Sequence, residues 1–256
     1  MPRLRNLLGA LLLGAATVAA GPARAAGEEI HIPRVGFSFD GVFGTFDRAS
    51  VQRGFQVYKD VCAACHGMRM LSYRNLTAAG LTEEQVRNLS AQFQVQDGPN
   101  DQGEMFERPA RPSDRFRQPF ANDSAARAAN NNALPPDLSV ITKARAGGAD
   151  YIHALLVGYE DPPADFQLGE GMNYNKFFPG HQIAMAQPLN DGQVEFTDGT
   201  TASVSQMATD VSTFLAWAAE PMLEERRRMG VRMIIFLVVL GGLAYAVKRK
   251  VWADVH

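Results

Sequence analysis

Both cysteines of the chain fall within five residues, Cys62-Ala63-Ala64-Cys65-His66. Two thiols at this spacing, followed directly by a histidine, can do one particular chemistry. Each thiol can add across a vinyl group of a porphyrin, and the imidazole can then bind the iron from one face. This is the attachment signature of a single covalent haem c. Two other uses of a thiol pair fit less well. A thioredoxin-like redox couple sits in a βαβ unit, and no such pattern surrounds these residues. A structural zinc ion takes four ligands, and Cys62, Cys65 and His66 leave it one short, a gap that His181 would fill only by coincidence.

With His66 as one axial ligand of an electron-carrying iron, the sixth position is usually filled by Met or His. A second strong ligand keeps the geometry similar in the ferrous and ferric states, and a thioether favours the ferrous one. The candidates are Met68, Met70, Met105, Met172, Met185, Met207, His153 and His181. Met68 and Met70 are too close to His66 in sequence to cross the haem plane. Met207 and His153 fall on expected helices, where a core or surface role is the default. Met185 lies in a loop, residues 178–188, bracketed by Pro179 and Pro188. A stiff loop can bring a thioether to the open face, so Met185 leads on pattern, with Met172 and His181 left open.

The elements that must position these groups are helices separated by long irregular stretches. Val51, Phe55, Tyr58 and Cys62 recur at helical spacing, which puts the motif at the end of a helix beginning near Asp47 or Ser50. Thr82-Glu83-Glu84-Gln85 is a capping box opening a helix with Val86, Leu89 and Phe93 on one face. Residues 122–131 are Ala-rich and helical by propensity. Residues 149–157 form another helix, stopped by Gly158. Ser203 and Gln206 open a helix carrying Val204, Met207, Val211, Phe214 and Leu215, and a last helix starts at Pro221. Residues 97–121 and 159–200 are rich in Pro, Gly, Asp and Asn, and are long enough to be functional or wrapped on something. Residues 194–202, around Asp198-Gly199, are expected to form a small hairpin. The fold class is mostly α: a cytochrome c-type haem domain with long loops and a small hairpin, plus one C-terminal transmembrane helix.

The ends give the compartment. Arg3 and Arg5, an apolar run over residues 7–20 and Ala23-Arg24-Ala25 read as an export signal, residues 1–25. Residues 229–247 are almost continuously apolar, with Arg232 the one charge. At roughly 1.5 Å per residue they span about 28 Å, close to one hydrocarbon thickness. Arginines 226–228 precede the run and Lys248-Arg249-Lys250 follow it, so charge alone does not orient it; the export signal does. The expected division is a cleaved signal at 1–25, a periplasmic haem domain at 26–225, an anchor at 226–248 and a cytoplasmic tail at 249–256. This places the chain as a single-pass protein of a bacterial inner membrane.

Residues 26–225 carry 15 Lys and Arg against 26 Asp and Glu, a formal charge of −11 hidden in the whole-chain value of −2. Such a surface draws a basic partner and speeds its arrival. The docking candidates are Asp97, Asp101, Glu104 and Glu107 in one stretch, and Asp150, Glu160, Asp161, Asp165 and Glu170 in another.

The chain resembles the cytochrome c1 family, the haem subunits of quinol:cytochrome c oxidoreductase (cytochrome bc1) complexes. The resemblance rests on Val61-Cys62-Ala63-Ala64-Cys65-His66, Arg127-Ala128-Ala129-Asn130-Asn131, Ala133-Leu134-Pro135-Pro136-Asp137-Leu138-Ser139, Lys143-Ala144-Arg145 with Gly147-Gly148 and Tyr151, Phe178-Pro179-Gly180 through Met185, and Trp217-Ala218-Ala219-Glu220-Pro221. It implies that Met185 is the second axial ligand, and that Arg145 and Tyr151 contact a haem propionate. It further implies that a carbonyl within residues 133–136 holds the other nitrogen of His66. Some bacterial relatives carry a disulfide in this domain, and here both thiols are committed to haem. The implied partners are cytochrome b, a Rieske iron–sulfur protein as donor and a small, usually basic cytochrome c as acceptor, in a dimeric complex. The subunit then makes and breaks no substrate bond, so no acid, base or nucleophile is expected. Two rivals are a free-standing anchored cytochrome c and a haem peroxidase with an open iron site.

Overall fold

The computed structural model describes residues 30–255. The expected export signal lies outside the described residues. In chain order the helices are α1 (Arg48–Asp60), α2 (Glu83–Ser90), α3 (Asp123–Ala129), α4 (Ile141–Ala144), α5 (Gly148–Val157), α6 (Val204–Ala219) and α7 (Leu223–Val251). Two antiparallel hairpins interrupt them. Strand β1 (Gln94–Asp97) pairs with β2 (Phe106–Pro109), and β3 (Asn173–Tyr174) pairs with β4 (Gln182–Ile183).

The caps explain where the helices start. Asp47 accepts from the Ala49 N–H at 3.0 Å and opens α1. Thr82 and Gln85 make the reciprocal box at α2, with bonds of 3.1 and 2.8 Å. Asn122 caps α3 and Ser203 caps α6. The last helix begins two residues after Pro221, because residues 220–222 form a turn between α6 and α7.

The core forms where α1 crosses α6, and α5 also packs against α6. Gly54 makes that crossing possible: a Cβ there would stand 1.9 Å from the Asp210 carbonyl oxygen and 2.8 Å from the Phe214 Cβ. Phe214 and Trp217 are fully buried against it. Asp210, 1 % exposed, sits at the same contact. It accepts from Ser50 Oγ at 2.6 Å, from Arg53 Nε at 2.8 Å and Nη2 at 3.0 Å, and from Gln206 Nε2 at 2.9 Å. A buried carboxylate is tolerable when it is paired and bonded this fully, and this one fixes the register of α1 on α6.

The hairpin expected at residues 194–202 does not form; this stretch has no strand. Its polar groups are spent elsewhere. Gln56 Nε2 donates to the Glu195 carbonyl at 2.7 Å, Thr200 N–H to Asp198 Oδ1 at 3.0 Å, and Arg53 Nη1 to Asp198 Oδ2 at 2.8 Å. Val194 and Phe196 are both buried. The segment is a loop laid on α1: Val194 and Phe196 turn inward and Glu195 outward as in a strand, but no second strand pairs with it among the described residues.

Helix α7 is 29 residues long, and among the described residues it is long and apolar enough to cross a membrane. Its apolar side chains from Ile234 to Val247 are exposed. Its base is fastened to the body by two acids. Glu220 pairs with Lys143 and Arg226. Glu224 accepts from Arg48 Nη2 at 3.1 Å and from the Phe46 N–H at 2.9 Å.

Candidate functional site

The Cys-x-x-Cys-His motif lies just past the end of α1. That helix stops at Asp60, and Cys62–Ala64 tighten into a 3-10 turn. The N–H groups of Cys65 and His66 both donate to the Cys62 carbonyl, at 3.1 and 2.9 Å. One compact turn therefore sets both thiols and the imidazole. Tyr58, on the last turn of α1, donates its hydroxyl to the His66 carbonyl at 3.2 Å. Burial, with Cys62 nearby, pushes the Tyr58 phenol above its ordinary range and keeps it a donor. Burial also pushes the Cys62 thiol up to about 12, so it is a neutral thiol rather than a thiolate.

His66 Nδ1 lies 2.8 Å from the Pro136 carbonyl oxygen. A carbonyl can only accept, so Nδ1 carries the proton and Nε2 keeps its lone pair. Burial lowers the His66 pKa, which favours the neutral ring. The carbonyl expected within residues 133–136 is thus that of Pro136. It is held in turn by its neighbours. Asp137 Oδ2 accepts from the Arg69 N–H at 2.8 Å and Oδ1 from the Ser139 N–H at 2.9 Å, and the Leu138 N–H donates to the Gly67 carbonyl at 2.8 Å. Burial pushes the Asp137 carboxyl up, but the N–H groups of Arg69 and Ser139 outweigh it and hold the group below the usual carboxylate range.

Met185 follows β4 and is half-buried. Its carbonyl accepts from the Tyr159 hydroxyl at 3.0 Å. Tyr159 comes directly after Gly158, which ends α5. Burial raises the Tyr159 pKa and nearby Tyr151 adds to it. Tyr151 itself is buried on α5; its pKa is raised by burial and partly offset by the Arg145 charge. Arg145, Tyr151, Tyr159 and Met185 thus belong to one neighbourhood. Arg145 is exposed, its guanidinium bonded only to the adjacent Ala144 carbonyl at 3.3 Å among the described residues.

The other ligand candidates have occupations of their own. Met68 and Met207 are fully buried in the core, and Met70 and Met105 are exposed. His181 stacks on Tyr174 at 5.6 Å, with its Nδ1 3.3 Å from the Asn175 carbonyl oxygen. His153 is half-buried on α5. Met172 closes a turn, its N–H donating to the Gly169 carbonyl at 3.1 Å. Of the acidic docking candidates, Asp97 is paired with Arg108, and Asp150 accepts from the Val35 N–H at 2.8 Å. Asp101, Glu104, Glu107, Glu160, Asp161, Asp165 and Glu170 remain exposed.

The sequence gives Tyr58 only a place on a helix face and Asp137 only a place in a matched segment, and it gives Tyr159 no role. Asp137 and Ser139, two residues apart, carry a local Asx pattern that could have marked the first. Nothing in the sequence ties Tyr159 to Met185, 26 residues away.

The donor set suits a covalently held haem: two thiols and an imidazole with a free Nε2 on one rigid turn. A helical domain with this turn after its first helix, ending in one long apolar helix, defines an anchored protein of the c-type cytochrome class. The comparison with known proteins is more specific. A profile of the cytochrome C1 family matches residues 37–255. The mitochondrial cytochrome c1 1 heme protein of Arabidopsis thaliana is 51% identical over 239 residues, covering 93% of this chain and 77% of that protein. The corresponding cytochrome c1 of Saccharomyces cerevisiae is 50% identical over 232 residues, covering 90% and 75%. The cytochrome b/c1 of Bradyrhizobium diazoefficiens is 48% identical over 242 residues, and the chain spans only 35% of its length. The chain belongs to the cytochrome c1 family, whose members are haem subunits of electron transport.

Proposed function

We propose that this chain is the haem-carrying subunit of a quinol:cytochrome c oxidoreductase. It takes one electron from a Rieske iron–sulfur protein and gives it to a small basic cytochrome c. A haem c bound through Cys62 and Cys65 supplies the one-electron chemistry when present. His66 Nε2 and the Met185 thioether would hold the iron of that group. Arg145 and Tyr151 would hold a propionate, since a guanidinium matches a carboxylate. Helix α7 anchors the subunit beside cytochrome b in a dimeric complex, with the haem domain in the periplasm and the C-terminus in the cytoplasm. The name of the Bradyrhizobium relative, which joins b with c1, supports that neighbour.

The observation that carries the reading is the His66–Pro136 bond. It fixes the tautomer that can bind iron and sets the ring on the same turn as both thiols. The remaining task of the chain is positional, to expose one edge of the group and to present an acidic approach. Residues 26–145 carry equal numbers of basic and acidic groups, whereas residues 146–225 carry 12 acids and one base. The field that would steer a basic acceptor therefore comes from the C-terminal half of the domain.

Rapid mixing of the purified membrane complex tests this. Quinol should reduce the haem, and a basic cytochrome c should reoxidise it at a second-order rate that falls as salt rises. A haem that quinol does not reduce within turnover time, or a rate independent of salt, would overturn the assignment or the steering respectively.

A further inference from the structure

A cleft of about 380 Å³ lies where the body meets α7, between the turn at residues 42–45 and the first turns of the helix. Its helical wall is Glu224, Arg227, Arg228, Val231 and Arg232, a stripe down one face. Opposite stand Val42 and Phe43, 68% and 84% exposed. These two side chains sit on an ordered turn. Arg227 Nη1 donates to the Phe39 carbonyl at 2.9 Å and to the Gly44 carbonyl at 2.6 Å, pinning the turn to the helix. Bulky apolar groups held in this way beside the start of an apolar helix mark a contact surface.

The charge of the cleft is unbalanced. Glu224 is already satisfied by Arg48 and the Phe46 N–H. Arg228 reaches it only at 4.0 Å. Arg232 makes no hydrogen bond or ion pair among the described residues. Arg228 and Arg232 are one turn apart, about 6 Å along the axis, so both can reach one phosphate. Arg232 also lies inside the apolar run, where an unpaired cation is costly.

We propose that this cleft holds one anionic phospholipid from the leaflet on the haem-domain side. Its phosphate sits between Arg228 and Arg232, and its acyl chains lie on Val42, Phe43 and Val231. A free anion would satisfy the guanidiniums and leave Val42 and Phe43 in water; a lipid satisfies both. The bound lipid gives the body a second attachment to the bilayer beside α7 and so limits its tilt. This inference rests on α7 being the membrane span.

The test uses the full haem-loaded chain in nanodiscs of equimolar phosphatidylglycerol and phosphatidylcholine, followed by native mass spectrometry of the lipid retained in mild detergent. Retained lipid should favour phosphatidylglycerol by about tenfold, given two arginines at the membrane surface. R228Q/R232Q should bring the ratio close to parity, and Phe43→Ser should reduce the amount retained without changing the preference. No preference in the parent, or a preference unchanged in R228Q/R232Q, overturns the proposal. So does displacement of the lipid by inorganic phosphate alone, which would make this a free-anion site. A photoreactive analogue at position 43 in the intact membrane complex should label lipid; labelling of a protein subunit alone would assign the cleft to that subunit instead. An alkaline wash separates the two readings. Loss of the parent chain from membranes refutes the span, whereas retention without lipid preference refutes the cleft alone.

Discussion

His66 stands on a turn joined to the end of a helix, whereas Met185 hangs from a loop after a two-residue strand. On the His66 side, the ring nitrogen, the carbonyl of the same residue and the next peptide are each bonded, to Pro136, Tyr58 and Leu138. On the Met185 side, the bond that holds the residue's own backbone is the one from Tyr159. The difference teaches where rigidity is needed. Two covalent attachments demand that both thiols and the imidazole be set before the porphyrin arrives. A thioether would make one bond to the group and no covalent attachment, so a loop could position it less tightly. The His66 side should therefore govern whether haem is attached, and the Met185 side what potential and ligand access it has.

The largest effect should come from the thiols. Replacing Cys62 and Cys65 by Ala together should abolish covalent haem, read as loss of the added mass of the mature chain and of haem stain on a denaturing gel. Retention of covalent haem would break the comparison at its root. Met185→Leu should leave attachment intact and lower the midpoint potential, by on the order of 100 mV or more. The reduced variant should also bind carbon monoxide. Met172→Leu and His181→Ala should change neither property; a shift in either one in place of Met185 would move the ligand.

A smaller effect is expected at Asp137, which holds the strand of chain that carries Pro136. Asp137→Asn should cost about 1.5 kcal/mol, as for a half-buried carboxylate that accepts two backbone N–H bonds. The sign with pH follows from its depressed pKa. The contribution is complete above the unfolded value of about 3.9 and is lost as pH falls through the lower folded value. The difference in unfolding free energy between parent and variant should be constant from neutral pH down to about 4 and shrink below it. A difference that grows in acid would mean the carboxyl is not the ionised clamp described.

The same contrast explains what could be read from sequence. The His66 side is local: a five-residue motif, a helix before it with apolar residues at helical spacing, and caps at Asp47, Thr82 and Ser203 that act within three residues. Such signals survive in one dimension. The motif's place one turn beyond α1 was less clear, because Cys62 continues the helical spacing although the helix stops at Asp60. The bonds that lock these local pieces in place come from distant chain. Pro136 meets His66 across 70 positions, and Asp210 meets Ser50 across 160. Residues 194–202 misled for a related reason. Their alternation of apolar and polar residues is that of a strand and their burial follows it, but their polar groups bond to Gln56 and Arg53 on α1 and not to a second strand. Met185 stands out among the eight candidates by its proline-bracketed loop and by family resemblance, whereas Tyr159, which bonds its carbonyl, carries no signal in the sequence.

The smallest effect, and the sharpest probe of the contrast, is Tyr159→Phe. It removes one hydroxyl and leaves the ring, so the packing at the end of α5 is kept. The lost bond to the Met185 carbonyl is worth about 1 kcal/mol. If the loop closes as a unit, that loss weakens the methionine–iron contact roughly fivefold, whereas His66 ligation and haem attachment stay as they are. Carbon monoxide binding to the reduced protein reads the first directly, because the gas must wait for the methionine to leave. The rate should rise by about that factor. The corresponding change on the other side, Tyr58→Phe, removes the donor to the His66 carbonyl and should leave this rate unchanged, since Pro136 and the two thioether bonds still fix the ring. Equal responses from the two tyrosines would show that the faces share one rigidity.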